Sequence, residues 1–377
     1  MAAPSHKMNP PFRVDHVGSF LRAPAVLAAR EQASSGALSA AELREVENKH
    51  IAELVQQEQA VGIRSITDGE FRRAYFHIDF LKNLAGVTVT GSIHSRENEH
   101  GFTPPKLSVT GKLGWVKPIE VDNFKYLQSL IDPASGAIPK ITIPSPTMVH
   151  FRGGRASIDI ESYPDLDVFF EDLAAVYRQE INALYEAGCR YIQLDDTNLA
   201  YLCDPEMRKA AAGRGEDVNA LPRQYAALIN ACIDGRPADL CIGIHLCRGN
   251  YRSQWFAQGG YEPIAEVLFG ELNVDAYFLE WESERSGGFE PLRFLPPGKV
   301  VVLGLVSSKI AALEDKADIV GRVREAAKFA PLDQLALSPQ CGFSSTQEGN
   351  DLSVEQQWAK MRLVHEVVQE VWGDASA

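Results

Sequence analysis

"IGIHLCRGN", residues 242–250, is an apolar run that ends in His245, Cys247, Arg248 and Asn250. In a β-strand, residues i and i+2 project to the same face, so His245 and Cys247 point together while Leu246 turns away. That is how two metal ligands would be presented. Two ligands do not make a stable site, so other segments must supply the rest, and the fold decides which segments can.

Working outward, the same pattern recurs: an amphipathic helix, a glycine or short polar break, then a β-rich run ending in polar residues. Ser39 with Glu42 forms a capping-box pattern opening a helix with Leu43, Val46, Ile51, Leu54 and Val55 on one stripe. Gly62 closes it and "IRSITDGE" follows as a strand. Residues 167–187 are again helical in period, Gly188 stands where a C′ glycine belongs, and "RYIQLDD" is the next strand. Strands are expected near 14–19, 64–68, 140–145, 191–195, 241–246, 276–280, 299–305 and 335–339. Strands alternating with helices imply parallel βα units, and eight of them imply an α/β fold of the (β/α)8 TIM-type barrel class. "GVTVTGSI" and "PKLSVTGKLGW" break the rhythm and read as an inserted β-hairpin near residues 86–120, over the barrel mouth. With no Pro-, Gly- or Ser-rich linker, residues 12–377 are expected to form one domain after a short disordered tail, 1–11. A doubly wound sheet is the alternative, but no strand is followed by G-x-G-x-x-G.

The chain has 377 residues and a formal net charge of −13, which argues against a nucleic-acid surface and against binding an anionic membrane. No window approaches the length of an apolar spanning helix, and the start lacks a secretory h-region. Six widely spaced cysteines form no disulfide framework, so a reducing cytoplasm is the expected compartment.

On a barrel, strand ends meet at one pole, which would gather Ser19, Glu70, Asp195, His245, Cys247, Glu280 and Cys341 into one pocket. His245, Cys247 and Cys341 offer one nitrogen and two sulfurs, and Glu280 adds an oxygen, a set that suits Zn2+. Glu282 shares the strand parity of Glu280 and Glu284 is close by, so the carboxylate ligand stays open on spacing alone. Cys189, Cys203, Cys232 and Cys241 read as small buried hydrophobes. His16 reads as a buried histidine, Arg72 and Arg73 as solvated arginines, and Asp196 has a helix N-cap as its structural alternative.

The motifs "DHVGSF" (15–20), "TDGEFRR" (67–73), "YIQLDD" (191–196), "HLCRGN" (245–250), "LEWESERSG" (279–287) and "SPQCGFSS" (338–345) together resemble the cobalamin-independent methionine synthase family. The closer likeness is to short single-barrel members related to the C-terminal catalytic half, and the motifs cover most of the chain in family order. The resemblance implies zinc held by His245, Cys247, Glu280 and Cys341, and a thiol substrate, homocysteine in the archetype, that binds it. It further implies that the amino-acid part is held by the backbone around Val17–Ser19, by Glu70 and by Asp195. The second substrate would be a methyl donor, a methylated folate among the candidates. Two departures stand out. The chain has room for one barrel rather than two, and "DDTN" replaces the Asp-Glu-Pro of the full-length enzymes. No basic run is suited to a polyglutamate tail.

The expected activity is S-methylation of a thiol, homocysteine giving methionine. Another zinc-dependent thiol alkyltransferase or lyase, resembling epoxyalkane:coenzyme M transferase, would need cations at the thiol's tail in place of Glu70 and Asp195. A non-catalytic zinc or thiol-binding protein is the third reading. Homodimeric assembly is left open.

Overall fold

The computed structural model describes residues 10–92 and 105–374. The expected tail thus falls almost wholly outside the described residues, although Pro11, at its inner edge, is buried.

The strands in chain order are β1 (Ser65–Ile66), β2 (Ala85–Ser92), β3 (Pro105–Gly114), β4 (Ile138–Pro139), β5 (Ile141–Pro144), β6 (Tyr191–Asp196), β7 (Cys241–Leu246), β8 (Ala276–Glu280), β9 (Val300–Val306) and β10 (Leu335–Pro339). Six of them form one all-parallel sheet in the order β10-β9-β8-β7-β6-β5. β1 pairs in parallel with β4, which runs through Lys140 into β5.

The helices obey the local rules read from the sequence. Ser39 Oγ accepts from the Glu42 amide at 3.2 Å and Glu42 returns a carboxylate to the Ser39 amide at 2.8 Å, so the helix Ala40–Ala60 starts where expected. Its residues Ile51, Leu54 and Val55 are buried. The helix Leu166–Glu186 ends before Gly188, whose φ of +104° only glycine adopts freely.

Side chains alternate across each central strand. Ile192, Leu194, Ile242, Ile244, Leu246, Leu279 and Leu303 join the large core shared with the helices. Tyr191, Cys241, Ala276, Phe278, Val302 and Ala336 pack together in a separate small core. Asp195, His245 and Glu280 share parity with that second set. The period of two in a parallel sheet therefore puts all three on one face, at one end.

Two expectations are corrected. The sheet is not a continuous closed ladder among the described residues. The expected strand 14–19 is reduced to one parallel bridge, Val14 to Leu337. Between this segment and β1 the contacts run mostly through side chains: Ser65 Oγ donates to Asp15 at 2.7 Å, His16 Nε2 meets the Ser65 carbonyl at 2.7 Å, and Thr67 Oγ1 donates to the Gly18 carbonyl at 2.7 Å. Asp15 is the physical reason. Fully buried, it needs partners, and it also takes Lys140 at 3.0 Å and the Tyr191 hydroxyl at 2.8 Å, where a ladder would have placed backbone. The second correction concerns the hairpin. β2 and β3 pair antiparallel as expected, but they end at Gly114 and lie against the helix Leu166–Glu186. Trp115 Nε1 donates to Glu180 at 2.7 Å and the Leu113 amide to the Tyr163 hydroxyl at 2.7 Å. Its described residues line none of the strand-end cavity.

At Gly304 on β9, neighbouring backbones approach closely behind the site. A Cβ there would stand 2.8 Å from both Gln340 Cα and the Leu279 carbonyl oxygen. Gly304→Ala is expected to destabilise the protein by about 1–3 kcal/mol through overpacking, measured by urea unfolding; an unchanged midpoint would show that the strands separate at no cost.

Candidate metal centre and substrate cavity

The ligand atoms of His245, Cys247, Glu280 and Cys341 all lie within 4.8 Å of one another, and all four residues are buried. Each is positioned by its strand. β6, β7 and β8 pair with Asp195 opposite His245 and His245 opposite Phe278. The Cys247 amide then donates to the Asp196 carbonyl at 2.7 Å, carrying the chain one residue beyond β7 with its sulfur still beside His245. Cys341 follows β10, and its Sγ is 3.4 Å from that of Cys247. Asn250 Nδ2 ties the two loops by donating to the Gly342 carbonyl at 2.9 Å.

His245 Nδ1 lies 3.2 Å from the Phe278 carbonyl, and its other ring nitrogen, Nε2, is buried with no hydrogen-bond partner. A histidine anchored through one nitrogen with the other unsatisfied is the arrangement of a metal ligand. Sulfurs about 2.3 Å from a tetrahedral ion would sit about 3.8 Å apart, close to the spacing found. The donor set therefore fits such an ion. Cys247 and Cys341 behave as one unit. The hydrogen bond from Cys247 holds Cys341 well below the ordinary thiol range, against burial and with help from His245, while Cys247 is pushed well above it.

The spacing left Glu280, Glu282 and Glu284 open; the geometry selects Glu280. Glu282 turns to an ion pair with Arg285. Glu280 is wholly buried and accepts from the Arg248 amide at 2.8 Å, Gln340 Nε2 at 2.9 Å and Arg285 at 3.1 Å, with Lys309 at 3.7 Å. Burial alone would raise its pKa; Lys309, Arg248, Arg285 and His245 outweigh it and hold the group ionised, with a pKa of about 2.

Val17, Ser19, Glu70, Asp195, His245, Cys247 and Cys341 line one cavity of about 300 Å³, with Glu280 behind its wall. Glu70 adopts φ +58°, unusual outside glycine. Its Oε1 accepts from Thr142 Oγ1 at 2.9 Å, while Oε2 is buried with no partner. Asp195 accepts from Gln193 Nε2 at 2.7 Å. Burial, then the neighbouring Glu70, push the Asp195 pKa up to about 7 against the pull of His245. Ser19 is buried, and its carbonyl accepts from the Phe343 amide at 2.9 Å.

Several other readings are settled. The four remaining cysteines are buried, and burial raises Cys189 and Cys203 to about 12. Asp196 accepts from the Leu199 amide at 2.8 Å, just ahead of the short helix Asn198–Tyr201 whose N-cap is Thr197, and is not on the cavity. His16 is a buried histidine whose pKa falls to about 4 through burial and then Lys140. The arginines are a correction. Arg73 is buried against Thr142, Glu70 and Glu120, and Arg72 is paired with Glu47 at 3.1 Å. Burying the neighbouring carboxylates required buried counter-charges. Sequence reasoning missed the aromatic end of the cavity, with Phe76, His77, Phe151, Arg152, Tyr201 and Phe256, because aromatic residues in loops look like ordinary core.

With this geometry in place, comparison with known proteins is informative. A crystal structure from Listeria monocytogenes, assigned to the vitamin-B12 independent methionine synthases, superposes with a TM-score of 0.78 at 39% identity, covering 97% of this chain and 99% of that one. The fold is thus that of a methionine synthase-type methyltransferase. Residues 12–362 match the model of "Cobalamin-independent synthase, Catalytic domain", and the chain belongs to that family. It is 43% identical over 364 residues to the uncharacterized protein YxjH of Bacillus subtilis, covering 96% of this chain and 95% of that one. It is 24% identical over 298 residues to a methionine synthase of Pyrococcus abyssi, covering 79% and 76%. No helix among the described residues is long and apolar enough to cross a membrane.

The raised Asp195 pKa makes a stability prediction. An aspartate whose folded value is about 7, against an ordinary 3.8, disfavours folding when ionised. That cost is absent well below pH 4 and complete above pH 7. Asp195→Asn is therefore expected to melt higher than wild type at pH 8, with the gap closing as pH falls toward 5; a constant gap across that range would show that Asp195 titrates normally.

Proposed function

We propose that the chain is a zinc-dependent methyltransferase acting on a thiol amino acid, homocysteine giving methionine, with its eight strand segments arranged as a (β/α)8 barrel around the site. The observation that carries this reading is the placement of an unsatisfied His245 Nε2 and two sulfurs in the wall of the cavity that also holds Glu70 and Asp195, with the buried Glu280 carboxylate behind them. His245, Cys247, Glu280 and Cys341 would hold the ion; when bound, it would make the substrate sulfur a thiolate, the nucleophilic form.

The remaining work belongs to the chain's own residues. Glu70 Oε2, with no partner, and Asp195 are suited to the ammonium group. The backbone around Val17–Ser19 is suited to the carboxylate. This attachment would fix the sulfur's approach to the methyl carbon, where the S–C bond forms as the donor–methyl bond breaks, and the thiol's proton is left for the donor's leaving atom. Arg248, Arg285, Lys309 and Gln340 hold Glu280 from outside the cavity. Two acids at the thiol's tail favour an amino acid over a sulfonate-bearing thiol. A methylated folate, the candidate that the family resemblance implies, is the donor this reading takes.

Purified protein is expected to carry about one zinc per chain, and Cys341→Ser to lose most of it by metal analysis; full retention in the variant would remove Cys341 from the ligand set. Asp195→Asn and Glu70→Gln are each expected to weaken homocysteine binding roughly 10- to 100-fold while keeping zinc, since each removes a charge-assisted bond. Calorimetric titration checks this, and unchanged affinity in both variants would defeat the amino-acid pocket. The activity itself is tested by offering homocysteine with a panel of methyl donors and detecting methionine by mass.

A further inference from the structure

Behind the thiol end of the cavity stand two polar side chains to which the proposed function gives no role. Thr142 on β5 and Gln193 on β6 are partners in the parallel register, and both are buried. Thr142 Oγ1 donates to Glu70 at 2.9 Å. Gln193 comes two residues before Asp195, so the two share one face of β6. Its Nε2 donates to Asp195 Oδ1 at 2.7 Å and to the Val17 carbonyl at 2.6 Å. The first segment lies directly against this pair: Gly18 adopts φ +127°, and a Cβ there would stand 2.6 Å from Thr142 Cγ2.

Two protons and two acceptors fix the orientation of the Gln193 amide. Turned over, it would set its oxygen against a carbonyl and a carboxylate, neither of which can donate. The orientation has a cost, because Gln193 is wholly buried and its Oε1 has no hydrogen-bond partner. A side chain needed only for packing would be apolar, like Phe278 and Val302 on the same face. What the two bonds join gives the cost a purpose. Val17 opens the backbone stretch suited to a substrate's carboxylate, and Asp195 is suited to its ammonium group. Val17 belongs to a segment whose one strand bridge among the described residues is at Val14, so a side chain from β6 is what ties it to Asp195.

We propose that Gln193 is a positioning residue: by clamping the Val17 carbonyl and Asp195 with one amide, it holds the carboxylate and ammonium halves of the subsite at the separation of an α-amino acid. The site thereby favours a thiol that carries both groups on one carbon over thiols that carry either alone. This rests on the amino-acid reading of the proposed function.

Three probes separate the clamp from the groups it joins: L-methionine, 3-(methylthio)propylamine, which lacks the carboxylate, and 4-(methylthio)butanoate, which lacks the ammonium. Each is titrated into the full chain by ligand-detected NMR, which reads millimolar affinities, with zinc content measured alongside. Wild type is expected to bind methionine about tenfold or more tightly than either half-probe, since each lacks a charge-assisted bond. Q193M is close in size and donates no hydrogen bond. It should keep its zinc and lose about tenfold in methionine affinity, while each half-probe loses about threefold or less, because the freed halves can each meet one group but are no longer preorganised for both. Q193N keeps the amide, but its reach is shorter by about 1.5 Å, so it cannot span both partners and should behave as Q193M does. Equal losses for all three probes would mark general damage and overturn the clamp, as would a preference for methionine that survives in both variants. If wild type itself does not prefer methionine to the half-probes, the amino-acid reading fails and the clamp falls with it.

Discussion

A single buried carboxylate organises the strand-end pole. Glu280 has no contact with solvent, and an ion in that position is tolerated only when its charge is matched and its lone pairs are used. The matching groups come from four different strand ends: Arg248 after β7, Arg285 after β8 itself, Lys309 after β9 and Gln340 after β10. Satisfying one side chain therefore fixes four loops together. Lys309 also donates to the Gly249 carbonyl at 2.9 Å, and Arg248 to the Tyr261 hydroxyl at 2.7 Å and the Glu280 carbonyl at 2.9 Å. Cys247 and Cys341 lie on two of these loops. Bracing Glu280 thus also holds these two sulfurs near each other, 3.4 Å apart.

How much of this could be read from the sequence depended on whether the signal was periodic or relational. β7, β8 and β10 fall at the expected residues, and β6 and β9 within one, because central parallel strands are short apolar runs bounded by polar residues. Residues 14–19 carry the same pattern, yet form one bridge, because Asp15 draws Lys140, Ser65 and Tyr191 into the seam. Nothing in the local pattern announces that competition. The four ligand candidates were legible because strand ends in a parallel fold meet at one pole. Spacing alone did not separate Glu280 from Glu282; the resemblance pointed to Glu280, and in the structure Arg285 pairs with both while only Glu280 joins the cluster with the sulfurs.

The arginines show the opposite limit. "FRR" reads as two solvated cations, but Arg73 is 5% exposed and sits among Glu70, Glu120 and Thr142. A cation's burial depends on acids far along the chain, here Glu120, which no window around Arg73 contains. Glu70 shows a related tension. It adopts a left-handed backbone conformation, keeps one oxygen unsatisfied and raises the pKa of its neighbour Asp195. Such local cost is typical of residues placed for a ligand, and the surrounding packing sustains it.

The seam between the first segment and β10 bears on how the protein is made. Val14 pairs with Leu337, the Arg13 side chain reaches carbonyls 319 to 322 residues away, and the Ser19 carbonyl is met by the Phe343 amide. Closing a loop of that size costs about 5 kcal/mol in chain entropy. The same segment also meets β1 and the turn after it, through Asp15 with Ser65 and Gly18 with Thr67, so its near partners are local and its far ones are not. The wall that Cys341 supplies at the thiol end therefore rests on the long-range half of this seam. The strands that bear Asp195, His245 and Glu280 can pair with one another, and the pocket is still incomplete until residues 13–20 and the end of β10 that leads to Cys341 dock together.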